Sequence, residues 1–249
     1  MRCWRRKSFW WKVIAVMVLA VMIGKFGICH SMADWRTASR ASAGIAPDPA
    51  THREAIVQVY GARAFGWRGY FGVHTWVAVK PTNAADFTVY EVIGWQVRRG
   101  APAVYISNRP ADGRWFDAMP EILADVRGEG VDKMIQRIDR AARTYRYKDE
   151  YRAWPGPNSN TFVAQIAREV PELKLELPPT AIGKDYLLDG AVFSKTPSGT
   201  GYQFSLGGLL GLMLGREEGI ELNILGLIFG IDPLGPAIKL PMAGRIGGT

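Results

Sequence analysis

Cysteine is nearly absent from this sequence of 249 residues. The only two, Cys3 and Cys29, lie in or beside an N-terminal hydrophobic segment, so residues 34–249 contain no thiol. This excludes a disulfide, a thiolate metal site and a cysteine nucleophile from that body. Histidine is also scarce there, with only His52 and His74. Because carboxylates are the main metal ligands that remain, we expect neither a metal site nor a cofactor.

Acidic residues are missing from the first 33 positions, which carry six lysines and arginines. These six account for most of the formal net charge of +8, and they leave 25 basic against 23 acidic residues in the remainder. A domain that binds nucleic acid usually shows a basic stripe or patch. The body shows none, so we expect no nucleic-acid partner.

The first 33 residues have the order basic, aromatic, apolar that is typical of a signal peptide or a membrane anchor. Arg2–Lys7 is the basic start, Phe9–Trp11 is aromatic, and Val13–Gly24 is apolar. The positive-inside rule keeps the basic start in the cytoplasm and places the body on the extracytoplasmic side. Cleavage after Ala33 is one outcome, but Lys25 separates that position from the apolar run. We therefore expect a retained single-pass anchor in the cytoplasmic membrane, with the lipid bilayer as a partner.

Composition divides the body into three parts, of which the last is described below. Residues 34–53 are rich in alanine, serine, proline and threonine, which predicts a tether between the membrane and a folded domain. Residues 54–200 have the patterns of an α+β domain with an antiparallel sheet and two main helices. The predicted strands are Ile56–Tyr60, Val73–Val79, Thr88–Trp95 and Val104–Ile106, and the predicted helices are Val131–Thr144 and Asn160–Val170.

Residues 201–249 are apolar and rich in glycine. If they form a hairpin with arms Gly201–Leu214 and Ile220–Ile231 and a tip at Glu217–Glu218, alternation puts the large apolar side chains of the first arm on one face. Glycines spaced four residues apart instead indicate close-packed membrane helices. Neither arm reaches the ~18 apolar residues of a membrane span. We therefore favour a β-hairpin that packs on the domain.

His74, near the start of a predicted strand, has an unperturbed pKa that suits proton transfer near neutrality. If the strands Val73–Val79 and Thr88–Trp95 pair in an odd register, Glu91 lies opposite Trp76 and diagonal to His74. A carboxylate there would orient and stabilise the charged imidazole. In an even register Glu91 points away, and the residues alone do not decide between the registers. A purely structural histidine is the alternative.

The segment Trp154–Phe162, with the sequence WPGPNSNTF, fixes a loop that turns into the second helix. Asn158 or Ser159 would open that helix, where free N–H groups and the positive dipole end favour an anion or oxyanion. An N-cap explains one of the three small polar residues, so we expect the whole segment to face a ligand. The predicted ligand-binding residues are Trp76, Trp154, Asn158, Asn160, Lys184 and Asp185.

Several segments together resemble one protein family. They are GVHTWVAVKP, YEVIGW, the pair Trp115–Phe116, WPGPNSNTF, VPEL, LPPTAIGKDY and PSGTGYQFSLGGLLGL. They are similar to a bacterial domain-of-unknown-function family, number 3750, and the resemblance runs from about Ala55 to the C-terminus. It implies a membrane-associated protein without an established activity.

The chain order of His74, Glu91 and Ser159 is also similar to that of circularly permuted NlpC-like hydrolases of papain-like fold. In those proteins a histidine on one strand and a polar residue on the next precede a nucleophile that opens a helix. The resemblance implies His74 as base, Glu91 as the orienting residue, and Ser159 at the position of the nucleophilic cysteine. A serine hydroxyl is far less acidic than a thiol, which argues against activity.

Three functions follow from these patterns. The one that we favour is a binding or structural module of the cell envelope, whose cleft around His74 and Trp154–Phe162 holds a peptide, glycan or lipid ligand. The second is a serine hydrolase or acyltransferase with Ser159 as nucleophile, His74 as base and Glu91 beside it. The third is a membrane-assembly partner that acts through the glycine-rich C-terminal arms.

Overall fold

The computed structural model describes residues 34–248. They form an α+β structure with two antiparallel sheets and few helices, which confirms the predicted fold class at this level. No helix among residues 34–248 has the length and hydropathy to cross a membrane. The predicted N-terminal anchor lies outside the described residues.

Five antiparallel strands form the first sheet: β1 (Ile56–Arg63), β2 (Val73–Lys80), β3 (Thr88–Val92), β4 (Val104–Ser107) and β5 (Glu121–Arg127). Their order across the sheet is β4-β3-β2-β1-β5. The first four lie where the sequence predicts strands. The sequence pattern does not predict β5, because its segment EILADVR includes three charged residues. An edge strand tolerates such charges.

Three α-helices accompany this sheet: α1 (Gly94–Arg98), α2 (Val131–Arg143) and α3 (Ser159–Glu169). Short 3-10 turns lie at Gly66–Tyr70, Pro171–Leu173 and Leu188–Gly190. α2 and α3 agree with the predicted helices to within one residue at each end. α1 replaces the end of the strand predicted to reach Trp95. Gly94 begins it, packed so closely against the ring of Tyr151 that a side chain would not fit there.

The two faces of the first sheet carry different cores. Val77 and Val79 of β2 point to the face covered by α2 and α3, where they join a large cluster that includes Phe162. Trp76 and Ala78 point to the other face and belong to a smaller cluster. This alternation follows from the two-residue period of a strand. It puts the odd-numbered side chains of β2 on the helix side and the even-numbered ones on the far side.

The middle of the segment 34–53, whose composition predicts a tether, is attached to the far side of the first sheet, where Ala46 packs against the cluster that includes Trp76. The Ser42 hydroxyl donates to the Asp112 carboxylate at 2.8 Å. The backbone N–H groups of Ile45 and Ala46 donate to the same carboxylate, at 2.7 and 3.1 Å. These long-range hydrogen bonds attach residues 42–46 to the folded body.

Seven antiparallel strands form the second sheet: β6 (Phe193–Lys195), β7 (Gly201–Leu206), β8 (Leu210–Gly215), β9 (Gly219–Ile224), β10 (Leu227–Asp232), β11 (Ala237–Leu240) and β12 (Gly244–Gly247). They follow one another as a meander. Strands therefore occupy the glycine-rich stretch 201–249, as the alternation predicts, but six strands, β7 to β12, replace the single hairpin. Gly207 and Gly219 have φ of 57° and 65°, a conformation that favours glycine. These glycines mark turns rather than contacts between helices.

Candidate functional site

His74 and Glu91 form a buried hydrogen-bonded pair. Strands β2 and β3 pair Val77 with Tyr90, which places Glu91 opposite Trp76, as in the odd register. The Nε2 atom of His74 lies 3.0 Å from Oε2 of Glu91, and both side chains are almost fully buried. The structure thus brings together two of the three residues proposed for catalysis.

Arg109 is a third member of this cluster, and sequence reasoning missed it. Its Nε donates to Oε1 of Glu91 at 2.8 Å, and its Nη2 donates to Oε2 at 3.3 Å. Its guanidinium lies 4.6 Å from the centre of the Trp76 ring, where cation–π attraction adds to the contact. Arg109 belongs to the turn-rich segment NRPADGRW, in which no periodicity indicates a partner on a strand.

Tryptophans enclose the imidazole of His74. The Trp115 ring stacks on it with 3.6 Å between the ring centroids, and the Trp76 ring stacks at 5.8 Å. Trp95 stacks on Trp115 in turn. Trp76, which we expected to bind a ligand, is fully buried and donates its Nε1–H to the carbonyl oxygen of Ala111. The aromatic packing holds the imidazole in place and covers its ring.

Burial and charge shift both pKa values of the pair. Burial lowers the pKa of His74 against the opposing effect of Glu91, and the charge of Arg109 adds to the lowering. Burial alone would raise the pKa of Glu91. The hydrogen bond from His74 and the charge of Arg109 outweigh burial and hold that pKa below its ordinary value. At neutral pH the cluster therefore contains a neutral imidazole, a carboxylate and a guanidinium.

Ser159 lies on the opposite side of the first sheet from His74. The His74 side chain shares the far side with Trp76, whereas Thr75 faces α3. The Thr75 hydroxyl donates to Oδ1 of Asn160 at 3.0 Å and lies 3.4 Å from the carbonyl oxygen of Ser159. The catalytic arrangement expected of Ser159, His74 and Glu91 is therefore not formed, because strand alternation separates the base from the nucleophile.

The amides of Asn158 and Asn160 are used within the fold. The Asn158 side chain accepts from backbone N–H groups in the first turn of α3, in a capping box. It also donates to the carbonyl oxygens of Ala153 and Ile182. The Asn160 amide donates to the carbonyl oxygens of Val73 and Ile182. These bonds join α3 to β2 and to neighbouring loops, so the polar segment fixes the fold at the place where we expected a ligand.

The other predicted ligand residues connect the two sheets. Trp154 is exposed, and its Nε1–H donates to a carbonyl oxygen in the turn between β9 and β10 at 3.0 Å. Lys184 is buried and forms an ion pair with Glu221 at 2.7 Å. The buried carboxylate of Asp185 accepts from the Asn223 amide, and burial raises the pKa of Asp185. Lys184 and Asp185 thus hold the second sheet on the body.

The inner face of the second sheet, which packs on the rest of the body, is polar. Glu221 pairs with Lys239 at 2.8 Å. Arg245 bridges Glu176 and Asp232, at 3.2 and 2.6 Å. Buried ion pairs recover little net stability once desolvation is counted. These ion pairs fix the position of the second sheet on the body, but they do not give that sheet a hydrophobic core.

The outer face of the second sheet is apolar and exposed. Alternate residues of β7 to β10 point outward, and the strand register aligns them in three rows. The rows are Tyr202-Leu214-Ile220-Ile231, Phe204-Leu212-Leu222-Phe229 and Leu206-Leu210-Ile224-Leu227, and Phe193, Ile238 and Ile246 extend them. These side chains expose between 37% and 62% of their surface. We call this array the outer apolar face.

A family model for proteins of unknown function, DUF3750, matches residues 54–186, which is just over half of the chain. The chain belongs to this family. No curated protein and no solved structure matched it. The match confirms the family resemblance over residues 54–186, whereas the motif PSGTGYQFSLGGLLGL and the rest of the C-terminal part lie outside it.

The family match covers the first sheet, the three helices and the cluster around His74, and it ends before β6. The outer apolar face therefore lies outside the matched residues. The family description names no activity.

Proposed function

We propose that this protein is a non-catalytic assembly module of the cell envelope, which joins a protein partner through its outer apolar face. In this proposal residues 1–33 hold it at the cytoplasmic membrane as a single-pass anchor, with the body on the extracytoplasmic side. The observation that carries the proposal is the inverted second sheet, whose polar face is buried while its apolar face is exposed.

The outer apolar face is too large to be incidental. The three rows across four strands cover about 20 Å by 20 Å in projection. Together with Phe193, Ile238 and Ile246, their fifteen side chains expose apolar accessible surface on the order of 1,000 Å². Monomeric soluble proteins rarely expose a contiguous apolar patch larger than a few hundred Å². Because removing apolar surface from water is favourable by roughly 25 cal/mol per Å², a partner that covers this face gains a large driving force.

A ligand cleft around His74 and Trp154–Phe162 has less support. Its two sides lie on opposite faces of the first sheet, and the imidazole of His74 is packed between tryptophans. The amides of Asn158 and Asn160 are occupied by backbone carbonyl groups. The same separation argues against a hydrolase or acyltransferase with Ser159 as nucleophile. A peptide, glycan or lipid would need another surface.

The membrane attachment in this proposal is supported by the N-terminal sequence, with its basic start, aromatic residues and apolar run. Ser42 and Ile45, about ten residues after Ala33, are hydrogen-bonded to Asp112 of the body. An anchor that ends near Ala33 would therefore keep the body close to the bilayer. Partners confined to the same membrane would then meet the outer apolar face at high local concentration.

The proposal predicts that charges on the outer apolar face break a complex. The full chain, of 27.6 kDa, would be extracted from membranes in a mild detergent and sized by native electrophoresis. The wild-type chain should migrate in a larger complex, and a variant with Leu212→Lys and Leu222→Lys should lose it. Tyr105→Lys is the matched control, since Tyr105 and Leu212 are each 41% exposed and Tyr105 lies on the first sheet. A complex of unchanged size in the double variant would overturn the proposal.

A further inference from the structure

The outer apolar face is almost free of charge. Among the outward residues of strands β6 to β12, Lys195 is the only charged side chain, and it lies on the edge strand β6. A surface that meets its own copy across a two-fold axis has to be self-complementary. An uncharged face of leucine, isoleucine and aromatic residues meets this condition, because no like charges are brought together.

The size of the outer apolar face also suits a dimer. Its fifteen outward side chains expose between 37% and 62% of their surface. This amounts to apolar surface on the order of 1,000 Å², compared with about 800 Å² per partner in an interface of standard size. Two copies can therefore form a stable interface with this face alone.

We infer that the partner is a second copy of this chain, which packs sheet against sheet across a two-fold axis. This inference rests on the proposed function. The two sheets would lie about 10 Å apart with their outward side chains interdigitated, as in a β-sandwich. Leu212 and Leu222, paired in the middle row, lie at the centre of the outer apolar face and nearest to the axis. Each copy would then cover the outer apolar face of the other and remove it from water.

Two other occupants fit the outer apolar face less well. Surfaces that lie in a bilayer interface usually carry tryptophan together with several lysines or arginines. Among the outward residues of β6 to β12 there is no tryptophan and one lysine. The apolar run Val13–Gly24 of the same chain, as one helix about 10 Å wide, would cover only about half of a face that is about 20 Å wide.

Crosslinking in the membrane tests the inference. The full chain with Cys3→Ser and Cys29→Ser would carry one new cysteine, by Leu212→Cys or by Tyr105→Cys as the control of equal exposure. A short, apolar bismaleimide, which enters an interface that excludes a water-soluble maleimide, should convert the Leu212→Cys variant to a product of twice the chain mass when the reaction time is long enough for covered thiols. It should leave the Tyr105→Cys variant as a monomer. Adding Leu222→Lys to the Leu212→Cys variant should abolish the product, while thermal unfolding shows that the body still folds.

Two results would overturn the inference, and they separate it from the proposed function. If the Leu212→Cys variant crosslinks to a different protein, the second copy is wrong and the assembly function stands. If it forms no protein crosslink, and a fluorophore on its cysteine is quenched by nitroxide-labelled lipid, the outer apolar face lies against the bilayer. Both the second copy and the assembly function would then fail.

Discussion

At the scale of single residues, the carboxylate of Glu91 is shared by two partners. His74 and Arg109 approach it from two sides, and the stacked ring of Trp115 closes the cluster. Burial of an unpaired charge is costly, whereas a carboxylate with two cationic or hydrogen-bonding partners is tolerated. This geometry explains why a histidine with the right neighbour for proton transfer is held as part of the structure.

The stability of the protein should depend on the titration of His74. Because burial lowers the pKa of His74, the unfolded chain binds the proton more tightly than the folded one. The stabilising contribution is present above the unfolded pKa of about 6.5 and is lost as the pH falls towards the folded pKa. Glu91 also lowers the stability as the pH falls, because its pKa is lower in the folded chain than in the unfolded one. This loss of stability begins near the unfolded pKa of about 4.3.

Urea unfolding at pH 7.5 and pH 5.5 measures this dependence. The wild-type chain should be less stable at the lower pH, with a slope of at most about 1.4 kcal/mol per pH unit from one proton. His74→Gln keeps an N–H donor for Glu91 without a titrating ring, so its loss of stability should be smaller. His52→Gln is the control, since the His52 side chain is 40% exposed. Equal losses in the wild-type chain and His74→Gln would contradict the account.

At the scale of elements, the N-terminus of α3 is hydrogen-bonded to two neighbouring loops. The Asn158 side chain caps the helix and donates to the carbonyl oxygens of Ala153 and Ile182. The sequence predicts this helix to within one residue, because an asparagine cap precedes a run of apolar residues at helical spacing. It does not predict that the polar residues are directed inward, since capping and ligand binding select the same residue types.

Removing the cap tests this role. Asn158→Ala should cost more than the ~0.5–2 kcal/mol of an ordinary N-cap, because the carbonyl oxygens of Ala153 and Ile182 each lose a donor as well. Ser159→Ala, at a neighbouring position with the same exposure of 3%, should cost less than about 1 kcal/mol. The free energy of unfolding in urea gives both values. The account is wrong at this point if Ser159→Ala is as costly as Asn158→Ala.

Sequence reasoning located other elements with unequal success, for physical reasons. The apolar alternation of β2 and the amphipathic spacing of α2 are strong local signals, and both elements lie where they are predicted. The register between β2 and β3, which decides whether Glu91 meets His74, depends on long-range pairing and has no local signal. The edge strand β5 lacks the alternation of a buried strand, so the pattern misses it.

At the scale of the whole molecule, the second sheet packs on the body through its polar face and leaves its apolar face exposed. Alternation along β7 and β8 predicts that apolar residues such as Phe204 and Leu212 share one face. It does not predict which face packs on the body, and the usual expectation of apolar residues inside is wrong here. The polar inner face is fixed by ion pairs between residues that are far apart in sequence, such as Glu176 with Arg245.

The central claim is that a protein partner covers the outer apolar face when the chain is in its native membrane. The labelling rate of one cysteine on that face tests this claim most directly. The full chain with Cys3→Ser and Cys29→Ser would carry either Leu212→Cys or Tyr105→Cys, and isolated membranes would be treated with a water-soluble maleimide. In denaturant the two variants should react alike.

In the native membrane, the account predicts that the Leu212→Cys variant reacts at least about ten times more slowly than the Tyr105→Cys variant, because thiol reactivity requires access to water. Equal rates for these two positions, which are equally exposed in the single chain, would show that the outer apolar face is open to solvent and would contradict the account.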